Sequence, residues 1–281
     1  MSSVFIAGPA AWNTLVVLDR LPEPVPHMQF AEDSWETVGG TSAGKALSLT
    51  ALGREVLLYA TSAEDAPGMR VRAALADAGV PTLWADGEVT ERHLNLMTRG
   101  GERVSLYLAS PPPADGADDA AIEAAMRAAD ALVLDLAAEP LRLLPLAQRT
   151  GRPIWVDVHD YDGEAEFHRP FLAVADAVFC NADRLGDPLA FLRSRVAAGA
   201  SLAVCTLGAD GAVAIDSDGE EHRVRAVPVD VVDTNGAGDA FLAGVLDARL
   251  SGATVPQALS AGARSASAVL ASRNLHPLLD A

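Results

Sequence analysis

The segment Asp233–Phe241 reads DTNGAGDAF and sets two carboxylates, Asp233 and Asp239, on either side of a Gly-Ala-Gly run. The residues leading into it, VRAVPVDVVD, alternate as a strand does, and AFLAGVLDARL after it has the period of an amphipathic helix. The glycines therefore fall where a strand hands over to a helix N-terminus. Unpaired amides and the positive end of the helix dipole meet there and favour an anion. Gly236, Ala237 and Gly238 allow that backbone to come close to a phosphoryl group, and Asp239 falls in the first helical turn beside it. A first-turn carboxylate also stabilises a helix with no further role. That reading covers Asp239 but leaves the glycines and Asp233 unexplained.

A second glycine cluster, VGGTSAGKALS (Val38–Ser48), matches most of the phosphate-cradling pattern G-x-x-x-x-G-K-[ST]. The match fails where the chemistry needs it. Ala46 stands where a hydroxyl should hold Mg²⁺, and the preceding AEDSWETV is too polar for a buried strand. The segment reads instead as a tight turn opening a helix, Thr41–Leu52, closed by Gly53. Gly39 and Gly40 also let a backbone approach a ligand, so the turn can form a site wall. Lys45 reads as a solvated helix residue; were it to face the site, it would suit an acidic or phosphorylated substrate. In DVHDYDGEAEFH (Asp157–His168), Asp157, His159, Asp160 and Asp162 offer metal-ligating side chains. Their spacing fits no defined motif, which favours a loop turning at Asp-Gly as it leaves a strand.

These elements sit in a chain of 281 residues with a formal net charge of −17 and half its residues hydrophobic. Such a surface repels nucleic acid and anionic membranes, and its Arg and Lys residues are scattered singly. The two cysteines, Cys180 and Cys205, lie inside apolar runs, as packing thiols of a reducing compartment do. No apolar run is long enough to span a bilayer, and the expected location is cytoplasmic.

Several short apolar runs end in a small or polar residue: VFIAG at Gly8, ALVLD at Asp135, IWVDV at Asp157–Val158, AVFCN at Asn181 and LAVCT at Thr206. Alanine-rich helical patterns lie between them, including 117–129, 140–149 and 188–198. This alternation predicts an α/β fold, a mostly parallel sheet with helices on both faces, whose ligands lie beyond the carboxyl ends of the strands. Two segments break the rhythm. Residues 13–37 are proline-rich, and residues 88–109 form two alternating runs joined by RGGE, a β-hairpin pattern. They read as a small β lid on a core made of 1–12, 38–87 and 110–281.

With those motifs in place, DTNGAGDAF resembles the C-terminal signature of the ribokinase-like (PfkB family) carbohydrate kinases. The Gly39-Gly40 turn resembles their N-terminal glycine pair, and TLGADG (Thr206–Gly211) is similar to their nucleotide-contacting turn. The resemblance runs the length of the chain. It implies ATP- and Mg²⁺-dependent phosphorylation of a hydroxyl on a small sugar. Asp239 would be the base, and the amides of Gly236, Ala237, Gly238 and Asp239 would be the anion hole. It further implies acceptor contacts from Asn13, Gly39, Gly40, Gly44 and Asp239. Nucleotide contacts would come from Asn181, Thr206, Gly208, Gly211, Gly238 and Asn274, with adenine beside the helix Val255–Ala271 near His276. Asp233 would serve a K⁺ site that some relatives have, and a homodimer would form through the lid. Departures from the pattern leave other readings open. Asn13 replaces a usual Asp, which keeps a nucleoside acceptor in view. Gly44 replaces an Asn, and Arg184 replaces the Glu of an N-x-x-E element beginning at Asn181, with Asp183 as a nearby stand-in. Arg184 either holds phosphate or marks a nucleotide- or sugar-binding relative without catalysis.

Overall fold

Strands as apolar as VFIA and LAVC bury both faces, so each face of their sheet must be covered by helices. The computed structural model, which describes residues 2–280, does this in a β/α succession interrupted by the four strands of a second, smaller sheet and closed on one side by an antiparallel pair. In chain order come β1 (Ser3–Ala7), β2 (Ala11–Leu18), β3 (Asp33–Gly39), α1 (Thr41–Ala51), β4 (Glu55–Ser62) and α2 (Ala66–Asp77). They are followed by β5 (Thr82–Asp86), β6 (Arg92–Thr98), β7 (Arg103–Ala109), α3 (Asp119–Ala128), β8 (Ala131–Leu134) and α4 (Ala138–Thr150). Next are β9 (Ile154–Asp157), α5 (Arg169–Val174), β10 (Ala177–Asn181), α6 (Pro188–Ala197), β11 (Leu202–Thr206), β12 (Ala212–Asp216) and β13 (Glu221–Val224). The chain closes with α7 (Ala237–Leu250) and α8 (Val255–Leu270).

The larger sheet has the order β13-β12-β11-β10-β9-β8-β1-β4-β5. Pairing is parallel from β5 across to β11 and antiparallel for β12 and β13. One apolar layer joins Val4, Ile6 and Val133 of the sheet to Leu47 of α1, Leu242 and Val245 of α7 and Leu259 of α8. The other joins Phe5, Leu132 and Val156 to Ile122 of α3, Leu143 of α4, Phe171 of α5 and Leu192 of α6. Cys180 and Cys205 are free, buried and neighbours across β10 and β11.

From β1 the strand order runs one way through β4 to β5, and from β8 it runs the other way. The switch point thus lies between β1 and β8, where α/β sheets open a ligand crevice at their carboxyl ends. Gly8 and Asp135 stand at those two strand ends, with the Asp135 amide donating to the Ala7 carbonyl at 3.0 Å.

The smaller sheet has the order β3-β2-β6-β7. One face of β2 carries Trp12, which lies under the Arg70 guanidinium of α2. The opposite face lines up Asn13 with His93 and Leu15 with Asn95. At the edge, Arg103 of β7 donates to the Asn235 side chain at 2.6 Å, so this sheet reaches the turn that precedes α7.

One expected element is absent. The alternating run VRAVPVDVVD forms a strand only as far as Val224, and residues 225–233 carry no ladder. Pro228 has no amide to donate, and the run instead crosses the surface, with Val231 and Val232 exposed.

Asp65 anchors the base of the smaller sheet. It caps α2 by accepting from the Gly68 amide at 2.8 Å, and its two oxygens also receive the hydroxyl and amide of Thr90, just before β6. Burial opposes its charge, but these donors prevail and hold its pKa below the ordinary value. Its stabilising contribution is therefore present at neutral pH and is lost as the pH falls through the depressed pKa. Asp65→Ala is expected to lower stability by about 1–2 kcal/mol in urea denaturation at pH 7, with the gap narrowing in acid.

Candidate active site

Four charged side chains converge at the switch point. Asp135 leaves the end of β8, Asp157 ends β9, Asp239 lies in the first turn of α7, and Lys45 comes from α1. The Lys45 ammonium is fully buried, 2.6 Å from Asp239 Oδ1, 3.0 Å from Asp135 Oδ1 and 3.5 Å from Asp157 Oδ2. The expectation of a solvated Lys45 is thus overturned. Helix α1 is wedged between the sheet and α7, every residue from Ser42 to Leu49 is buried, and no face is left for a solvated lysine.

Each carboxylate has a distinct set of partners. Asp135 Oδ2 accepts from the Ser42 hydroxyl at 2.6 Å. Asp157 Oδ1 accepts from the His159 amide at 2.9 Å, and His159 Nδ1 stands 3.5 Å from its other oxygen. His159 holds a left-handed backbone conformation at φ 50°, unusual for a residue with a side chain. Asp239 accepts a hydrogen bond only from Lys45 among the described residues. Burial pushes the Asp239 pKa up to about 6, because desolvation outweighs the opposing pull of Lys45 and His159. Burial also works against the Lys45 charge, but Asp135, Asp239 and Asp157 together hold its pKa above the ordinary value. Asp157 is held below the ordinary range despite its burial, by His159 and Lys45.

Asp239 stands at the mouth of an amide-lined turn. Gly236 caps α7 at φ 78°, its α-carbon facing the Leu275 carbonyl so closely that a β-carbon would come within 2.7 Å. Among the described residues, no acceptor pairs with the amides of Gly236, Ala237, Gly238 or Asp239. Gly238 is exposed, with open space where a side chain would be. These free donors at the start of a fourteen-residue helix make a place for an anion. Asp233, expected to serve a cation, spends its carboxylate on the Asn235 amide and side chain and so shapes this turn.

The glycine pair lies where β3 enters α1. Gly39 has the Asn13 side chain folded over it, so that any β-carbon would collide with the Asn13 amide. Gly40, at φ 95°, faces the Pro9 carbonyl. Gly44 faces Asp239: a β-carbon there would stand 2.9 Å from Oδ2. Asn13 Oδ1 and Asn95 Oδ1, on the same face of the smaller sheet, are buried without partners. Asn95 was not singled out by sequence; its alternation with His93 along β6 and its register with β2 are the signals that find it.

The residues expected at the nucleotide divide into two groups. Asn181 and Thr206 stand side by side at the ends of β10 and β11, and Gly208 opens the short turn after Thr206. By contrast, Gly211 packs on the Val224 carbonyl, and the Asn274 side chain is committed to Asp280 and the Leu279 carbonyl. Arg184 is exposed, 3.7 Å from Asp162, and Asp162 caps the turn at Glu164 and Ala165. Asp157 and Asp162 thus serve different local structures, as the loop reading requires.

Comparison with known proteins bears on the family and the fold. The family described as pfkB family carbohydrate kinase matches residues 13–280. An acarbose 7(IV)-phosphotransferase from Actinoplanes sp. is 31% identical over 93% of this chain and 90% of its own length. Fructoselysine 6-kinase from Escherichia coli is 39% identical over 31% of this chain and 33% of its own. Among solved structures, a microbiome-derived acarbose kinase superposes with a TM-score of 0.83 at 28% identity, covering 100% of this chain and 99% of that one. An Arabidopsis thaliana ribokinase complexed with ribose and ATP shares the fold at a TM-score of 0.76 and 21% identity, over 99% and 96% of the two chains.

Gly44 offers a direct check of the niche beside Asp239. Alanine there gains about 1 kcal/mol of helix propensity but must displace the Asp239 carboxylate. Gly44→Ala is expected to melt within a few degrees of the parent, while turnover falls by about 10–100-fold. Thermal melting and steady-state kinetics on the same preparation separate the two effects.

Proposed function

The chain belongs to the pfkB family of carbohydrate kinases, and from that premise we propose how it transfers phosphate from ATP to a sugar hydroxyl. It is a phosphotransferase with an alcohol group as acceptor. The observation that carries the mechanism is the position of Asp239 beside the unpaired amides that open α7. Asp239 Oδ2 takes the proton of the acceptor hydroxyl as that oxygen bonds to the γ-phosphorus and ADP departs. The amides of Gly236–Asp239 bind the charge on the migrating phosphoryl group. Mg²⁺ bound together with ATP would neutralise part of the remaining phosphate charge beside these amides. No K⁺ is assigned, since Asp233 already has donors on both oxygens.

Acceptor hydroxyls are donors as well as acceptors. The unpaired Asn13 and Asn95 oxygens suit them, from a sheet face that reaches over the turn before α7. Similarity to acarbose kinases makes an acarbose-like oligosaccharide the first acceptor to try. Asn181, Thr206 and Gly208 line the nucleotide half at the ends of β10 and β11. Asp183 and Arg184 are both exposed, so neither supplies a buried metal ligand. The free edge of β7, with Val104, Leu106 and Leu108 exposed, supports a homodimer through the smaller sheet.

ADP release with Mg·ATP and a panel of acarbose, ribose, fructose and adenosine tests this reading. At least one sugar should release ADP, with turnover rising as the pH passes about 6 and Asp239 ionises. Asp239→Asn should lower turnover by about 10²–10⁴-fold while nucleotide binding persists. Wild-type turnover in that variant rules out Asp239 as the base. Saturable nucleotide binding with no ADP from any acceptor would favour a non-catalytic relative.

A further inference from the structure

The cage around Lys45 is unevenly built. Asp135 is held by Ser42 and Asp157 by the His159 amide, so both stay in place without the lysine. Asp239 has no such second partner, and it is the carboxylate that the ammonium approaches most closely. The tether occupies Oδ1 alone. Oδ2 accepts no hydrogen bond among the described residues and lies in the niche that Gly44 leaves clear.

We infer that Lys45 is a positioning residue for Asp239, pinning Oδ1 so that Oδ2 alone is presented to the acceptor hydroxyl. This rests on the reading of Asp239 as the base. It also gives the other two carboxylates a purpose. When Oδ2 takes the acceptor proton, Asp239 becomes neutral, and an ammonium whose only partner was Asp239 would be left buried and unpaired. Asp135 and Asp157 remain as its counter-charges, so Lys45 keeps its three protons through the cycle and the tether survives for the next turnover. The proton leaves from Oδ2 once product departs, which restores the starting charge.

The charged and titratable groups around Asp239 come from several elements. They are Lys45 of α1, Asp135 beyond β8, Asp157 and His159 at the end of β9, and Tyr107 of β7. Lys45 favours the ionised form of Asp239 more than any other neighbour does, with Asp135 and Asp157 working against it. Loss of the lysine therefore has a calculable sign: the Asp239 midpoint must rise.

The test uses the full-length protein labelled with carboxyl-¹³C aspartate. The Asp239 resonance is identified by its loss in Asp239→Asn, then titrated in the parent, in Lys45→Met and in Lys45→Met/Asp135→Asn. Turnover is measured on the same samples with Mg·ATP and acarbose, or with the panel sugar that releases ADP. Lys45→Met should move the Asp239 midpoint up by about one unit or more from its parent value, and lower kcat about 10–100-fold. Its KM for ATP should stay within about twofold of the parent value. The double variant restores the net charge of the cage, so the midpoint should return towards the parent value while kcat stays low, because the tether is still missing. If Lys45→Met alone fails to fold, the double variant, with one fewer buried carboxylate, carries the test. Parent-like kcat in a folded variant of either kind overturns the inference and leaves Lys45 as a counter-ion only. Failure of the base reading shows separately, as retained turnover in Asp239→Asn, while the titrations still report whether Lys45 governs Asp239.

Discussion

A buried ammonium surrounded by three carboxylates is the constraint around which this molecule is arranged. Taking such charges out of water costs several kcal/mol each, recovered only if every group meets an opposite charge or a donor. The chain meets that demand with parts drawn from distant sequence: α1 supplies Lys45 and Ser42, β8 and β9 deliver Asp135 and Asp157, and α7 delivers Asp239. Removing one partner of such a buried pair commonly costs about 3–5 kcal/mol. The cage therefore also fastens α1 and α7 to the carboxyl ends of the central strands. The glycines around it have a common cause. At Gly8 a β-carbon would strike the Ser42 hydroxyl, and at Gly44 it would strike Asp239.

Opposite electrostatic demands meet within one helical turn. The mouth of α7 offers unpaired amides to an anion, and the same turn carries a carboxylate whose burial makes it a stronger base than an exposed aspartate. Placing both on α7 fixes their separation by helix geometry rather than by loop packing. In a carbohydrate kinase this suits a reaction in which a proton leaves the acceptor while negative charge gathers on the phosphoryl group. The smaller sheet closes the arrangement from the other side. Arg103 and Met97 meet Asn235, so the sheet is in contact with the very turn that Asp233 shapes.

Much of this was legible in the sequence, because strands and helix starts leave local marks. Apolar runs ending in Asp135, Asp157, Asn181 and Thr206 became adjacent parallel strands with those residues at their carboxyl ends. DTNGAGDAF became the start of α7. The position of Lys45 was not legible, since helical period places a residue on a face but does not reveal that the whole helix is enclosed. Nor did alternation reveal that residues 225–233 lack a strand partner. The TLGADG pattern placed Gly211 beside the nucleotide half, but it did not reveal that Gly211 packs on Val224 or that the Asn274 side chain bonds Asp280. Sequence spacing carries no information about which partner a side chain will find.

The central claim is that Asp239 Oδ2 and the amides opening α7 act on one reacting group. A crystal structure with ADP, aluminium fluoride and a sugar acceptor tests this most directly, because the planar fluoride occupies the place of the phosphoryl group in flight. The account predicts fluoride on the amides of Gly236–Asp239 and the acceptor hydroxyl within hydrogen-bond distance of Oδ2. An acceptor oxygen facing any other base, with Asp239 still closed off against Lys45 and the fluoride bound away from α7, would contradict it.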